Sequence, residues 1–337
     1  MLPELTAWQQ RAYQHAASAL AGGQMGHATL IVGPERIGKR VMAEHLARRV
    51  LCLSPQSDGE ACGRCRSCTL FASRSQYDPL ETRPDGTPSQ PWGHSAHPDL
   101  MFLGYQWNEK ARPPKLRTEL VIEQVRMLSE KLSLTPRMGE TQVVIVDPAD
   151  AINYFAFNAL LKTLEEPQPG RYLWLLSSNP ARLPATIRSR CQRLELRLPP
   201  WVEALDWLTA RGHSATIAGE ALDAARGHPG LADAWLASDG MTLRRSVRQD
   251  AEALQRGQAA PVELAQRWVG DGRADDRLRH LADLALDEAA GLTDPARTRT
   301  LAARFDAANR TRNLLRTTVR ADLAVAETLL GWVSDHA

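Results

Sequence analysis

The chain has 337 residues, 43% hydrophobic and 24% charged, which is ordinary for a folded soluble protein and long enough for more than one domain. Its 41 Lys and Arg against 39 Asp and Glu leave a formal charge of +2, so no excess of either sign marks a nucleic-acid binder. No apolar run approaches the ~20 residues needed to cross a bilayer, and the N-terminus lacks the basic start and apolar core of a secretion signal, so a cytoplasmic location without a membrane partner is expected.

The first strong element is the apolar run Ala28-Thr29-Leu30-Ile31-Val32, of buried-strand type, followed by Gly33-Pro34-Glu35-Arg36-Ile37-Gly38-Lys39-Arg40 and a helix expected over 41–50. This is the frame of a phosphate-binding loop, in which glycines let backbone amides wrap phosphates and the Lys pairs with phosphate oxygens. The pattern ends in Ser or Thr, whose hydroxyl ligates Mg²⁺; Arg40 stands there instead and cannot. The residues leave open whether Gly33, Gly38 and Lys39 still hold a nucleotide without turnover.

Cys52, Cys62, Cys65 and Cys68 follow as C-x9-C-x2-C-x2-C, the spacing of a tetrathiolate site in a reducing compartment. Structural zinc is the expected occupant. Iron–sulfur ligation is the rival, since C-x2-C-x2-C also begins the ferredoxin-type run, but the fourth downstream Cys of that run is missing. Four reduced thiols with no metal are the remaining alternative. Residues 73–98 carry five prolines and no apolar periodicity, and read as a long surface loop.

A short strand is expected near 100–104 and a helix over 118–132, with Leu120, Val121, Val125, Leu128 and Leu132 at helical spacing. Then Val143-Val144-Ile145-Val146-Asp147 makes a second buried strand ending in an acid, the usual source of a Mg²⁺-associated carboxylate in P-loop ATPases. The next residue, Pro148, offers no ionisable group to polarise a water. A helix over 151–165 and a strand over 172–177 continue an alternation that argues for a parallel sheet with helices on both faces. From Pro199 onward the chain reads as helical, punctuated at Gly212, 227–230, 257–261, 270–272 and 291–295. The arginines at 297, 299, 304, 310, 312, 316 and 320 read as a solvated or intersubunit helix face, with Leu301, Phe305, Ala308, Leu315, Val319 and Leu323 as its buried side.

The segments Asn158-Ala159-Leu160-Leu161-Lys162-Thr163-Leu164-Glu165-Glu166-Pro167 and Leu183-Pro184-Ala185-Thr186-Ile187-Arg188-Ser189-Arg190-Cys191 closely resemble AAA+ clamp-loader subunits. So do Gly26-His27-Ala28, the four-Cys insert and His97-Pro98-Asp99, so that the resemblance spans about 1–235. With Arg40 and Pro148 it is most similar to the delta-prime family of the bacterial DNA polymerase III clamp loader. The resemblance implies an α/β P-loop AAA+ domain over 1–196 carrying the zinc module at about 52–68, a small helical lid over 197–239, and a helical collar over 240–337. It implies that Arg190 of Ser189-Arg190-Cys191 reaches into a neighbour's ATP site as a trans arginine finger. The implied partners are gamma/tau and delta subunits in a heteropentamer, the sliding clamp, and primer-template DNA through the complex. Ala232, in Pro229-Gly230-Leu231-Ala232-Asp233-Ala234, falls where the ATPases of the family carry a nucleotide-reading Arg, and Ser178 or Asn179 falls at the polar sensing position. Two alternatives stand beside this reading: an active gamma/tau-type ATPase, which would keep Ser or Thr at position 40 and Glu at 148, and a zinc-module DNA-binding protein.

Overall fold

The computed structural model describes residues 2–84, 86–108, 110–315, 317 and 319–333. They divide into two compact units, Met1–Ala232 and Asp233–Ala337.

The first unit is built on a five-stranded sheet of β1 (Ala28–Val32), β2 (Leu100–Leu103), β3 (Gln142–Val146), β4 (Arg171–Ser177) and β5 (Gln192–Glu195), in the order β2-β3-β4-β1-β5. Every neighbour pairing is parallel, with Ala28 opposite Leu173, Leu100 opposite Val143, and Thr29 opposite Gln192. The strands read as continuous apolar runs because both faces are covered. Successive side chains alternate between two cores, as strand geometry requires. Leu30, Val32, Val144, Val146, Leu173 and Leu175 face one, Ile31, Val143, Ile145, Trp174 and Leu176 the other.

Helices α1 (Ala7–Ala21), α2 (Lys39–Leu51) and α3 (Arg66–Ala72) contribute to the second core through Trp8, Met42, Leu46 and Phe71. Helices α4 (Ile122–Ser133), α5 (Tyr154–Glu165) and α6 (Ala185–Arg188) close the first core through Val125, Leu128, Phe157, Leu160 and Ile187. Two expected helix starts move. α4 begins at Ile122 because Leu120 is held in extended backbone, its amide donating to Ala151 O and its carbonyl accepting from Asn153 N. α5 begins at Tyr154 because the Asn153 side chain caps it, accepting from Ala156 N at 2.9 Å. The expected α/β P-loop architecture with helices on both faces and a helical remainder is therefore the observed one.

Helices α7 (Trp201–Ala210) and α8 (Ala215–Ala224) also belong to the first unit, and α9 (Pro229–Leu236) follows. The second unit holds α10 (Gly240–Gln255), α11 (Pro261–Gly270), α12 (Ala274–Ala289), α13 (Pro295–Leu314) and α14 (Ala321–Leu330) around a core that includes Val247, Trp268, Leu278, Leu281, Val325 and Trp332. One expected face needs correction. Leu301 and Ala308 are buried, but Val319 and Leu323 are exposed, because α13 stops at Leu314 and the chain restarts as α14 with a different phase, burying Val325 and Leu329. Arg312 pairs with Asp275 and Arg320 with Asp322, while Arg316 lies outside the described residues.

Candidate nucleotide and metal sites

The loop between β1 and α2 has the backbone of a phosphate-binding loop. Gly38 sits at φ +94°, a conformation that favours glycine, and opens α2; a Cβ on Gly33 would lie 2.6 Å from Leu196 O. The loop's own carbonyls are nevertheless taken by donors of this chain. Lys39 Nζ donates to Gly33 O and Pro34 O at 2.7 Å each, and to Ser178 Oγ at 2.8 Å. Trp8 Nε1 and Gln9 Nε2 both donate to Ile37 O, at 3.0 and 3.1 Å, and His228 Nε2 lies 2.7 Å from Glu35 O. Burial lowers the Lys39 ammonium to about 8, against the opposing pull of Asp147 and Asp150.

Arg40 points into the interior and is nearly buried. Its Nε donates to Glu44 Oε1 at 2.8 Å, one helical turn on, its Nη1 to Asp147 Oδ2 at 3.2 Å, and its Nη2 to Gln90 Oε1. The guanidinium carbon lies 3.9 Å from the centre of the Phe102 ring, in cation–π contact. Arg83 Nη2 donates to the same Asp147 oxygen at 2.7 Å, and Arg74 Nη2 reaches Glu44 Oε2 at 2.7 Å. Burial pushes the Asp147 carboxyl up, but the Arg83 and Arg40 guanidinia outweigh it and hold the group below the usual carboxylate range.

The residues at this end of the loop do not fit a magnesium nucleotide. A guanidinium donates and cannot ligate a cation, and the acid that would face the metal has one oxygen engaged by two arginines. Pro148 follows Asp147 and supplies no acid; Asp150 is turned to the end of β4, accepting from Ser178 N at 2.7 Å and Asn179 N at 3.1 Å. Ala232 is fully buried and carries no polar atom beyond its backbone.

Arg83, Gln90, Arg74 and Glu44 were not legible as site residues. Three of them come from the segment expected to be a plain surface loop. It is instead a folded strap: Arg74–Ser75 pairs antiparallel with His94–Ser95, Thr82 bridges Pro88, and Ser89 and Gln90 are buried. Prolines and glycines conceal this because the strap is held by short backbone bridges and polar side chains and not by a periodic apolar face. For Glu44 a signal existed, the i,i+4 spacing to Arg40 on an expected helix.

The four cysteines converge as their spacing predicts. Their Sγ atoms all lie within 4.8 Å of one another, with Cys52 to Cys62 at 3.7 Å and Cys52 to Cys65 at 3.9 Å. Tetrahedral Zn–S bonds of about 2.3 Å place sulfurs about 3.8 Å apart, so the cluster has the dimensions of a closed tetrathiolate site. Amides of Cys62, Cys65 and Cys68 donate to the sulfurs of Cys52, Cys62 and Cys65 at 3.3, 3.3 and 3.5 Å, the partners that stabilise thiolates. The module is tied to the body by Glu60, which accepts from Tyr13 and Arg49.

Arg190 follows α6 on the turn into β5, away from the interior. It pairs with Glu165 Oε1 at 2.7 Å and donates to Thr186 O at 3.0 Å, and its side chain remains 38% exposed. Cys191 is partly buried against the first core, and burial raises its thiol to about 11.

A P-loop α/β domain with a four-cysteine insert and an altered metal end defines a class of nucleotide-fold protein that need not turn nucleotide over. The family model described as DNA polymerase III, delta subunit matches residues 8–200. The chain is 34% identical over 270 residues to a DNA polymerase III subunit delta' of Pseudomonas aeruginosa, covering 79% of this chain and 72% of that one. It is 32% identical over 285 residues to the subunit delta' of Escherichia coli, covering 83% and 75%. A solved DNA polymerase III gamma subunit-related protein of Thermotoga maritima aligns over 94% of this chain and 97% of that one at 14% identity and a TM-score of 0.46. The chain belongs to the DNA polymerase III delta' family.

Proposed function

We propose that the chain is a stator: a clamp-loader subunit that hydrolyses no ATP itself and completes a heteropentamer with gamma/tau and delta subunits. In that assembly it presents Arg190 to the ATP site of an adjacent subunit and helps place the sliding clamp on primed DNA during replication. The observation that carries the non-hydrolysing part is the double pairing of Asp147 with Arg40 and Arg83, which leaves no metal ligand at position 40 and commits one oxygen of the metal-facing carboxylate to two guanidinia. Pro148 removes the base.

Arg190 supports the finger role by its setting. An arginine keeps its charge at all working pH values and offers a planar fork suited to phosphoryl oxygens. Its present partner, Glu165, is itself about half exposed, so exchanging that carboxylate for a phosphate gives up a surface ion pair of only about 0–1 kcal/mol. The domain limits 1–196, 197–239 and 240–337 belong to this reading, as does zinc at Cys52, Cys62, Cys65 and Cys68.

Reconstitution tests it. The purified chain is mixed with gamma/tau and delta subunits of its own organism and resolved by size. A stable complex that loads the clamp onto primed DNA, and fails to form or load when this chain is left out, is the expected result. A chain that stays monomeric beside an assembled, active complex would sink the proposal.

A further inference from the structure

We propose that the strap 73–98 is a built-in occupant of the metal end of the P-loop site, with Arg83 and Gln90 as its pins, so that nucleotide is excluded by the chain's own side chains and not simply by loss of a hydroxyl at position 40. The inference rests on the non-hydrolysing reading and goes one step further, from lack of turnover to lack of binding and its cause.

Three features point to it. The strap delivers its polar groups to the site from a braced frame: Arg83 N donates to Thr87 O at 2.7 Å, Ser89 N to Glu81 O at 2.8 Å, and Gln76 Nε2 to Gln90 O at 2.8 Å. His94, on the return strand, pairs with Glu81 at 3.0 Å and stacks on Tyr77, so the frame closes on itself. The contacts it makes are with the two residues a metal nucleotide would need: Gln90 with the side chain at position 40, and Arg83 with Asp147. Lastly, Arg74 engages the second oxygen of Glu44, whose first oxygen holds Arg40. Arg40, Arg74 and Arg83 thus surround Glu44 and Asp147, and the cluster has one more cation than it has anions. A divalent cation approaching Asp147 meets the like charge of the Arg40 and Arg83 guanidinia that already hold its Oδ2.

The consequence for reversion is specific. Arg40→Thr restores a hydroxyl and releases the Gln90 side chain, yet Arg83 stays on Asp147 and Arg74 on Glu44, and these two contacts keep the strap seated. Removing Arg83 as well frees the acid.

The experiment is equilibrium binding of a fluorescent ATP analogue with Mg²⁺ to the zinc-loaded full chain. Wild type and Arg40→Thr are expected to show no saturable binding at millimolar analogue. Arg40→Thr with Arg83→Ala is expected to bind saturably in that range, about tenfold or more tighter than the limit that the unsaturated Arg40→Thr titration sets. Equal binding by the single and double variants, with native circular dichroism and metal content, would remove the strap from the account. Saturable binding by wild type without turnover would overturn this inference while leaving the non-hydrolysing reading intact. Turnover by wild type would instead overturn that reading. Hydrogen exchange on the wild-type chain decides the matter even should the double variant fold poorly. Peptides covering 74–83 and 87–96 are expected to exchange as slowly as the end of β3 and to stay unchanged on adding Mg-ATP, whereas exchange at the rate of an unstructured loop, or new protection over 33–40, would refute the strap.

Discussion

Glu44 is the residue on which the buried cluster balances. It is fully buried and holds Arg40 by one oxygen and Arg74 by the other. Truncating it leaves two guanidinia without their shared anion, and breaking a buried pair in this way costs about 3–5 kcal/mol. Glu44→Ala is therefore expected to lower unfolding free energy by that amount in urea, whereas Glu195→Ala, whose partners Arg193 and Arg197 are exposed, changes it by less than about 1 kcal/mol. A small loss at Glu44 would mean the cluster relaxes to solvent. The acid limb follows from Asp147. Its carboxyl titrates below 3.8 when folded, so the contribution is fully present above that value and is lost as pH falls through the depressed folded one. An Asp147→Asn variant should be less stable than wild type at neutral pH, with the gap closing toward acid, as read by thermal melts across a pH series. Arg190 is the opposite case, exposed and weakly held. Arg190→Ala should leave fold and assembly intact while lowering clamp- and DNA-stimulated hydrolysis at the neighbouring site, where such fingers contribute about 10³ to 10⁵ in rate. Arg190→Lys should rescue poorly for want of the planar fork. Undiminished clamp loading by the Ala variant would leave Arg190 as a surface ion pair only.

At the scale of elements, β1, β3 and β4 were legible because a strand buried on both faces writes itself as an unbroken apolar run. The cysteine module was legible because ligand chemistry fixes spacing. The strap was not: Arg83 and Gln90 act across 50 residues or more of sequence, on Arg40 and Asp147, through contacts that no local pattern encodes. The start of α4 was missed for a related reason, since Leu120 has helical spacing but a backbone paired to residues 151 and 153. The module's own prediction follows from its make-up. Between Cys52 and Cys68 the only regular structure is the start of α3, so the thiolate cluster has little else to order it. One zinc per chain is expected by elemental analysis, and chelation or Cys65→Ser should unfold the module, releasing the Glu60 contacts to Tyr13 and Arg49. The sheet should survive, because none of its strands comes from the module. Iron with visible absorbance would restore the cluster alternative.

For the whole molecule, the charge pattern argues against independent action on DNA. The net charge is +2, and several arginines of the second unit are spent within it: Arg312 on Asp275, Arg244 on Asp287, Arg273 on Asp239, and Arg304 over Trp332. Phosphate contacts are what give DNA affinity its magnitude and its salt dependence, so arginines already paired within the unit contribute less to counterion release. No helix among the described residues is long and apolar enough to cross a membrane. On the stator reading the chain is inert alone and acts only in company. The isolated protein is expected to show no ATP turnover above background and only weak primed-DNA binding, with a shallow slope of log affinity against log salt. The same preparation added to gamma/tau and delta subunits should restore both activities in the assembly. Tight, steeply salt-dependent DNA binding by the isolated chain would favour a DNA-binding module. Steady turnover by it would favour an active gamma/tau-type ATPase, and would require the Arg40 and Arg83 contacts on Asp147 to open in solution.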